Sequence, residues 1–281
     1  IGRALSLELA RRGYTVAATA RTEDKLNSLA DEAKGLPGRV VPFPCDVTEE
    51  TAMAALVRRI EAEAGPIALA VFNAGNYLPA KGERLDIANF RTSFEINVFG
   101  VINGLVPLVE QMRARGSGQI AIVASVTAYF GWPTAAAYGA TKAALNNMAE
   151  ALKYDLDKLD IRVQIINPGF VATPLTGKND FRMPGVMPVD RAVRRLADAL
   201  ETGGFETTFP HRFTWPVKLL RILQEALTNA LKHSGARNVR VAWVADAQAP
   251  LVHLRVQDDG RGLAAQTASG RGLGNMRLRA Q

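Results

Sequence analysis

A single cysteine, Cys45, stands among the 281 residues. That scarcity excludes an intramolecular disulfide framework and fits a reducing, cytoplasmic setting. No apolar run approaches the ~20 residues that span a bilayer, so no membrane partner is expected. No secretory signal is visible, although the chain opens on Ile1 rather than Met. Long basic runs and basic–aromatic alternation are missing too. The formal net charge of +7 therefore reads as a solvated surface, and nucleic acid is set aside as a partner. The excess charge is concentrated late in the chain, where residues 220–281 carry 9 Lys and Arg against 4 Asp and Glu. What is present is a composition 48% hydrophobic and 22% charged, ordinary for a chain that buries a core. The length allows one large α/β domain or two smaller ones.

Short apolar runs alternate with amphipathic stretches. "TVAATA" (15–20), "VVPFP" (40–44), "IALAVF" (67–72), "QIAIVAS" (119–125), "IRVQII" (161–166) and "FETTF" (205–209) read as buried strands. Helical patterns such as "TEDKLNSLADEAK" and "EETAMAALVRRIEAEA" lie between them. This alternation predicts an α/β fold, a doubly wound parallel sheet covered on both faces. Such sheets bind ligands beyond the carboxyl ends of their strands, so the residues after each apolar run carry the chemistry. The chain begins with "IGRALSLELARRG", an amphipathic helix opened by Gly2, and the strand that a doubly wound sheet needs before it is absent.

Arg21 follows the first strand, where a dinucleotide-binding unit meets the adenosine ribose. An arginine there favours a 2′-phosphate, and a carboxylate would favour a free hydroxyl; taken alone, Arg21 reads rather as a solvated surface residue. "CDVTEE" places Asp46 after the second strand, as an adenine contact or a helix-start residue. Asn73, Ala74 and Gly75 follow the third, where a glycine lets a ligand approach the backbone. The richest stretch is "ASVTAYFGWPTAAAYGATKAAL". Ser125 ends a strand, and Tyr138 and Lys142, four apart on the next helix, share a face. An ammonium beside a phenol is expected to pull its pKa from about 10 toward neutrality, which makes Tyr138 a usable acid or base.

Residues 1 to about 219 resemble the short-chain dehydrogenase/reductase family. The resemblance rests on "NAG" at Asn73–Gly75, "FEINVFG" with Asn97, Ser125, the Tyr138/Lys142 pair and "NPGFVATPL" from Asn167. It implies hydride transfer between a carbonyl and an alcohol of a small molecule, with NADP favoured and NAD as the alternative. It further implies that Tyr138 moves the hydroxyl proton and Ser125 orients the substrate oxygen. Lys142 would hold the nicotinamide ribose and Asn97 would support a water relay. Pro168, Gly169 and Thr173 would line the nicotinamide; Asp46 and Val47 would flank adenine; Gly2 is the last residue of the glycine-rich phosphate turn. The rest of that turn is not present, so weak cofactor binding is expected. Phe181, Met183 and Met187 lie in an expected substrate lid. The family also implies a homo-oligomer paired through helices such as 86–115 and 136–157.

The character changes near "KLLRILQEALTNALKHSG" (218–235). Glu225, Asn229 and His233 recur every four residues, where a core helix would present apolar side chains. Two strand-like runs follow, then "DDGRG" and "GRGLGNM". In this order residues 221–281 resemble part of the ATP-binding domain of sensor histidine kinases. That implies ATP and Mg²⁺, with Asn229 as a metal ligand, Glu225 near the phosphates, Asp258 on the adenine amine, and Gly260, Gly262, Gly270 and Gly272 shaping the loop. The fold expected here is a partial α/β sandwich of the histidine kinase ATPase type. His233 belongs to the nucleotide-side helix and is not read as a phospho-acceptor. Domains are expected at 1–219 and 220–281. No Gly/Ser/Pro-rich linker divides them, so a join of two truncated genes is preferred over a natural fusion. Three readings stay open: oxidoreductase, ATP-binding signalling module, and a chimera with neither activity.

Overall fold

The computed structural model describes residues 1–179, 181, 183–230, 232, 235–245 and 252–260. Two compact units are present, Ile1–Thr214 and Trp215–Gln281.

The first unit alternates helices and strands. α1 (Gly2–Arg11), β1 (Thr15–Ala20), α2 (Glu23–Glu32), β2 (Arg39–Pro44) and α3 (Glu50–Ala64) come first. β3 (Leu69–Phe72), α4 (Ile87–Phe94), α5 (Gly100–Arg115) and β4 (Gly118–Val123) follow, then α6 (Ala136–Leu156), β5 (Ile161–Pro168), α7 (Val189–Thr202) and β6 (Glu206–Phe209). β3, β4, β5 and β6 form one parallel sheet in that order. β1 and β2 form a separate parallel pair. The strands expected from the apolar runs are therefore present, in two sheets rather than one. Among the described residues β1 bonds only to β2, and β3 only to β4.

The period of two along β4 shows why the sheet is wound on both faces. Ile120 and Ile122 join Leu105, Leu108 and Met112 of α5 and Leu145 and Ala149 of α6 in one cluster. Ala121 and Val123 point the other way, into Leu5 and Leu9 of α1 and Val193, Leu196 and Leu200 of α7. Each fully buried Leu or Ile contributes about 1.5–3 kcal/mol. Together the two clusters cover both faces of the strand. The stretch Ile87–Arg115 is long and apolar enough, by length and composition alone, to cross a membrane; here Leu105, Leu108 and Met112 are part of the core. α5 ends at Gly116, whose φ of 69° is the left-handed cap that glycine adopts most readily. At Gly118 a Cβ would come within 2.3 Å of the Met112 sulfur, so the strand begins on a residue without a side chain.

The second unit holds most of α8 (His211–Asn229) and an antiparallel pair, β7 (Val239–Ala245) with β8 (Val252–Asp258). The stretch 218–229 is thus one unbroken helix with the residues before it.

Candidate active site

β4 ends where the doubly wound pattern says a site should lie. Ser125 follows in an extended conformation, and its Oγ accepts from the Thr127 amide at 3.2 Å. Its own amide donates to Asn167 Oδ1 at 3.1 Å. α6 brings Tyr138 and Lys142 up on one face, and the Tyr138 hydroxyl shares a hydrogen bond with Ser125. The Tyr138 ring meets Tyr77 edge-on, centroids 5.2 Å apart. Tyr77 in turn bonds Thr134 Oγ1 at 3.0 Å, and Thr134 holds the left-handed φ of 61° that closes the loop leading to Tyr138.

Lys142 is buried. Its Nζ donates to the carbonyl of Val123 at 2.9 Å and lies 5.6 Å from the centre of the Tyr138 ring. Burial lowers its pKa to about 8. Tyr138 departs from the expectation: burial pushes its pKa up to about 12, opposed by the Ser125 hydrogen bond. Burial outweighs any pull from the lysine, whose Nζ donates to a main-chain carbonyl rather than to the phenol hydroxyl. In this geometry Tyr138 is a neutral acid at pH 7.

Asn97 is fully buried in a one-turn π-helix, Glu95–Phe99, between α4 and α5. Such turns place a side chain off the regular helical face. Its Oδ1 accepts from the Asn76 amide at 2.7 Å. Its Nδ2 donates to Asn76 O and to Thr141 Oγ1, both at 3.1 Å. Both side-chain protons are used within the protein, so a water held by Asn97 would bind through an oxygen. Thr141 also donates to Tyr138 O at 2.6 Å. The β3 loop is thereby tied to the helix that carries the tyrosine.

Toward β1 the same rim turns polar. A Cβ on Gly2 would meet Asn73 Nδ2 at 2.7 Å. Ala74 and Gly75 are exposed, and a Cβ on Gly75 would sit 3.2 Å from Asn97 Oδ1 and 3.6 Å from Lys142 Nζ. Arg21 is paired with Asp46 at 3.7 Å. Asp46 accepts from the Thr48 amide and hydroxyl at 3.0 and 2.9 Å, and the amide bond is the main cause of its lowered pKa. These residues face an open cleft of about 480 Å³ that Arg91, Thr92, Glu95 and Ile96 also line. Val47 packs on Gly100, and its carbonyl accepts from Asn103 Nδ2 at 2.9 Å.

The family described as short chain dehydrogenase matches residues 1–182. The chain belongs to it. An uncharacterized oxidoreductase of Myxococcus xanthus is 36% identical over 230 residues, covering 82% of this chain and 91% of that protein. The 3-oxoacyl-(acyl-carrier-protein) reductase of Thermotoga maritima is 34% identical over 178 residues, 63% of this chain and 72% of its own. The crystal structure of a short-chain dehydrogenase from Streptomyces avermitilis superposes with a TM-score of 0.71 at 26% identity, covering 82% of this chain and 92% of that one. A second family, the histidine kinase-, DNA gyrase B- and HSP90-like ATPases, matches residues 216–277 in part.

The short-chain dehydrogenase family uses NAD or NADP, and the rim residues fit such a group. Exposed backbone at Ala74–Gly75, the Lys142 ammonium beside it and the Arg21/Asp46 cleft give glycine, cation and polar donors in sequence along the carboxyl edge. Pro168 ends β5, and the Gly169 amide donates to Phe209 O at 2.7 Å. A Cβ on Gly169 would meet the Phe213 ring at 2.9 Å. The Thr173 amide donates to Thr176 Oγ1 at 3.1 Å.

The expected lid is only partly available for contact in this dehydrogenase. Phe181 is 44% exposed and meets Phe170 edge-on, centroids 5.9 Å apart, while Met183 Sδ accepts from Asn179 at 3.1 Å. Met187 belongs instead to the core cluster under α7, pinned by main-chain bonds to Phe170 and Ala172 at 2.9 Å. Of the aromatic residues that the lid motif does not contain, Phe213 packs beside Phe170 and Trp132 packs on Phe213. Tyr77, Thr134 and Thr141 also went unnoticed in the sequence; a threonine one place before the lysine was the one available signal.

In the second unit Glu225 and Asn229 lie on α8. Asp258 ends β8, and its Oδ1 accepts from the Gly260 amide at 3.0 Å. The neighbouring Asp259 takes the amides of Arg237 and Asn238 at 2.8 and 2.9 Å. Gly262, Gly270, Gly272 and His233 lie outside the described residues.

Proposed function

We propose that residues 1–219 reduce a small, moderately apolar carbonyl compound to an alcohol, with NADPH as the preferred donor. The grouping of Ser125, Tyr138 and Lys142 at the carboxyl edge of β4 carries this reading. The Thermotoga relative supports a 3-oxoacyl thioester as the first compound to try. Arg21 beside an open cleft supports the 2′-phosphate form of the cofactor.

When bound, the nicotinamide supplies a hydride. The chain's own groups manage the proton. Tyr138, neutral with a pKa near 12, donates its hydroxyl proton to the carbonyl oxygen as charge develops there. Ser125 Oγ hydrogen-bonds the same oxygen and fixes its direction. Lys142 and Asn73–Gly75 would hold the ribose, and the Lys142 ammonium would offset the phenolate that proton loss leaves. Gly2 would lie against the phosphates, Asp46 and Val47 would border adenine, and Pro168, Gly169 and Thr173 would border the nicotinamide. Homo-oligomers built through α5 and α6 are part of this reading, supported by Phe99, Val106 and Tyr154, which are large, apolar and exposed.

Acetoacetyl-CoA and NADPH, followed by loss of NADPH absorbance, test the proposal. Turnover that disappears in Tyr138→Phe supports it; turnover that persists in that variant overturns it.

A second reading applies to residues 220–281, as a partial histidine kinase-type ATP-binding domain of α/β sandwich form. The family match and the acid–glycine turn Asp258–Gly260 support it. Titration calorimetry with Mg-ATP, repeated on Asn229→Ala, tests it. A chain that binds neither NADPH nor ATP and melts without cooperativity would favour the joined, inactive chimera instead.

A further inference from the structure

β6 carries one acidic residue among threonines and a phenylalanine, and its side chain reaches Asn167 of β5 and Tyr129 in the turn after β4. We infer that Glu206 is a positioning residue for Ser125, acting through the amide of Asn167. Its catalytic consequence rests on the reductase reading above; its structural part does not.

Glu206 Oε1 accepts two hydrogen bonds, one from Asn167 Nδ2 at 2.8 Å and one from the Tyr129 hydroxyl. Asn167 is fully buried, and its other side-chain atom, Oδ1, accepts from the Ser125 amide at 3.1 Å. An asparagine amide has a donor end and an acceptor end of nearly the same shape, so packing alone cannot choose its orientation. An ionised carboxylate only accepts. Glu206 therefore holds the NH₂ end toward itself and leaves the oxygen facing the Ser125 N–H. With the amide turned over, two donors would face each other and the serine amide would be buried without a partner, an expensive arrangement.

Tyr129 lies at the far end of the short turn that starts at Ser125, spanning Val126–Ala128. One carboxylate oxygen thus fastens the serine segment at both ends, by way of Asn167 at residue 125 and directly at residue 129. Ser125 Oγ, which must meet both Tyr138 and a substrate oxygen, is aimed by that segment. Glu206 touches neither Tyr138 nor the Ser125 side chain in any of these bonds, and it lies beyond the residues matched by the dehydrogenase family. Its place on β6, opposite Ile165 of β5, brings it within reach of Asn167 two residues on.

The test compares the full chain with Glu206→Met, which keeps bulk and removes the acceptor, and with Glu206→Gln, which keeps a neutral acceptor oxygen. Amide hydrogen exchange at Ser125 is read by NMR, together with the thermal midpoint. With acetoacetyl-CoA and NADPH, kcat and KM are measured separately. In Glu206→Met the Ser125 amide is expected to exchange at least about tenfold faster while the rest of β4 and β5 keeps its protection. The same variant should lose about tenfold in kcat with KM unchanged, since a hydrogen bond to a charged group is being removed. Glu206→Gln should recover most of both. Unchanged Ser125 exchange, or a uniform rise across the sheet with a matching loss of thermal stability, overturns the inference. If the wild-type chain turns nothing over, the reductase reading fails, and the exchange result alone decides the role of Glu206. If Glu206→Met does not fold, Glu206→Gln is read alone: a fall of about threefold in kcat or protection supports the role, and wild-type values for both overturn it.

Discussion

Lys142 gives a proton to the main-chain oxygen of Val123 at 2.9 Å, bonding the catalytic helix to the last residue of the central strand. The ammonium is buried and its pKa is lowered to about 8, from 10.5 in the open chain. Between those values the unfolded chain binds more protons at this site, so stability rises with pH. The burial penalty is fully present below about pH 8 and is relieved by pH 10.5.

Lys142→Met should therefore stabilise the chain at pH 7. The shift corresponds to roughly 3 kcal/mol, less about 1 kcal/mol for the lost hydrogen bond. Urea unfolding at pH 7 and pH 10 checks this: the variant should be more stable at pH 7, and the gain should shrink toward pH 10. Cofactor affinity and turnover should fall in the same protein.

Tyr138 slopes the other way. Its pKa is raised to about 12 from 10, so the folded chain holds the proton longer and stability falls as pH climbs from 10 to 12. Tyr138→Phe should remove that decline and lower turnover by ~10²–10⁴-fold, the range for losing a general acid. The melt at pH 7 should move little, since about 1 kcal/mol of hydrogen bonding to Ser125 is lost.

Asn97→Ala removes three hydrogen bonds and strands the Asn76 amide and carbonyl. A loss of about 2–4 kcal/mol is expected, a drop of about 4–16 °C for a unit of this size. Differential scanning calorimetry measures it. Asn97→Asp should lose less, since it keeps the acceptor for the Asn76 amide.

Arg21→Glu tests cofactor choice. Its ion pair with Asp46 is long, exposed and worth little, so a phosphate would displace it at small cost. Turnover with NADPH should weaken about 10–100-fold in kcat/KM, the worth of one charge-assisted bond, while turnover with NADH stays level or improves. Equal losses with both cofactors would remove Arg21 from the specificity argument.

Much of this was legible in the sequence because the cues were local. "TVAATA" coincides with β1, and the four-residue spacing of Tyr138 and Lys142 placed them on one face of α6. What stayed hidden depends on distant partners. Nothing local says how far the fold buries the Tyr138 phenol, so the spacing predicts a lowered pKa where burial raises it. Nor does anything local say that Lys142 reaches back 19 residues to Val123. Met187 looked like a lid residue because its neighbours are loop-like, yet its main-chain pairing with Phe170 turns it inward. The π-turn around Asn97 breaks a helical period by one residue, too little for a pattern to register. Glu206 in "FETTF" looked like an ordinary polar break in a strand; its use depends on Asn167 and Tyr129, 39 and 77 residues away.

The split between β1 and β3 has a practical side. Leu69, Ala70, Val71 and Phe72 are all half-buried, and among the described residues they are bonded along one flank only. A short apolar strand paired along one flank is a place where a second extended segment can add bond by bond. Such an edge would favour association of the chain at high concentration.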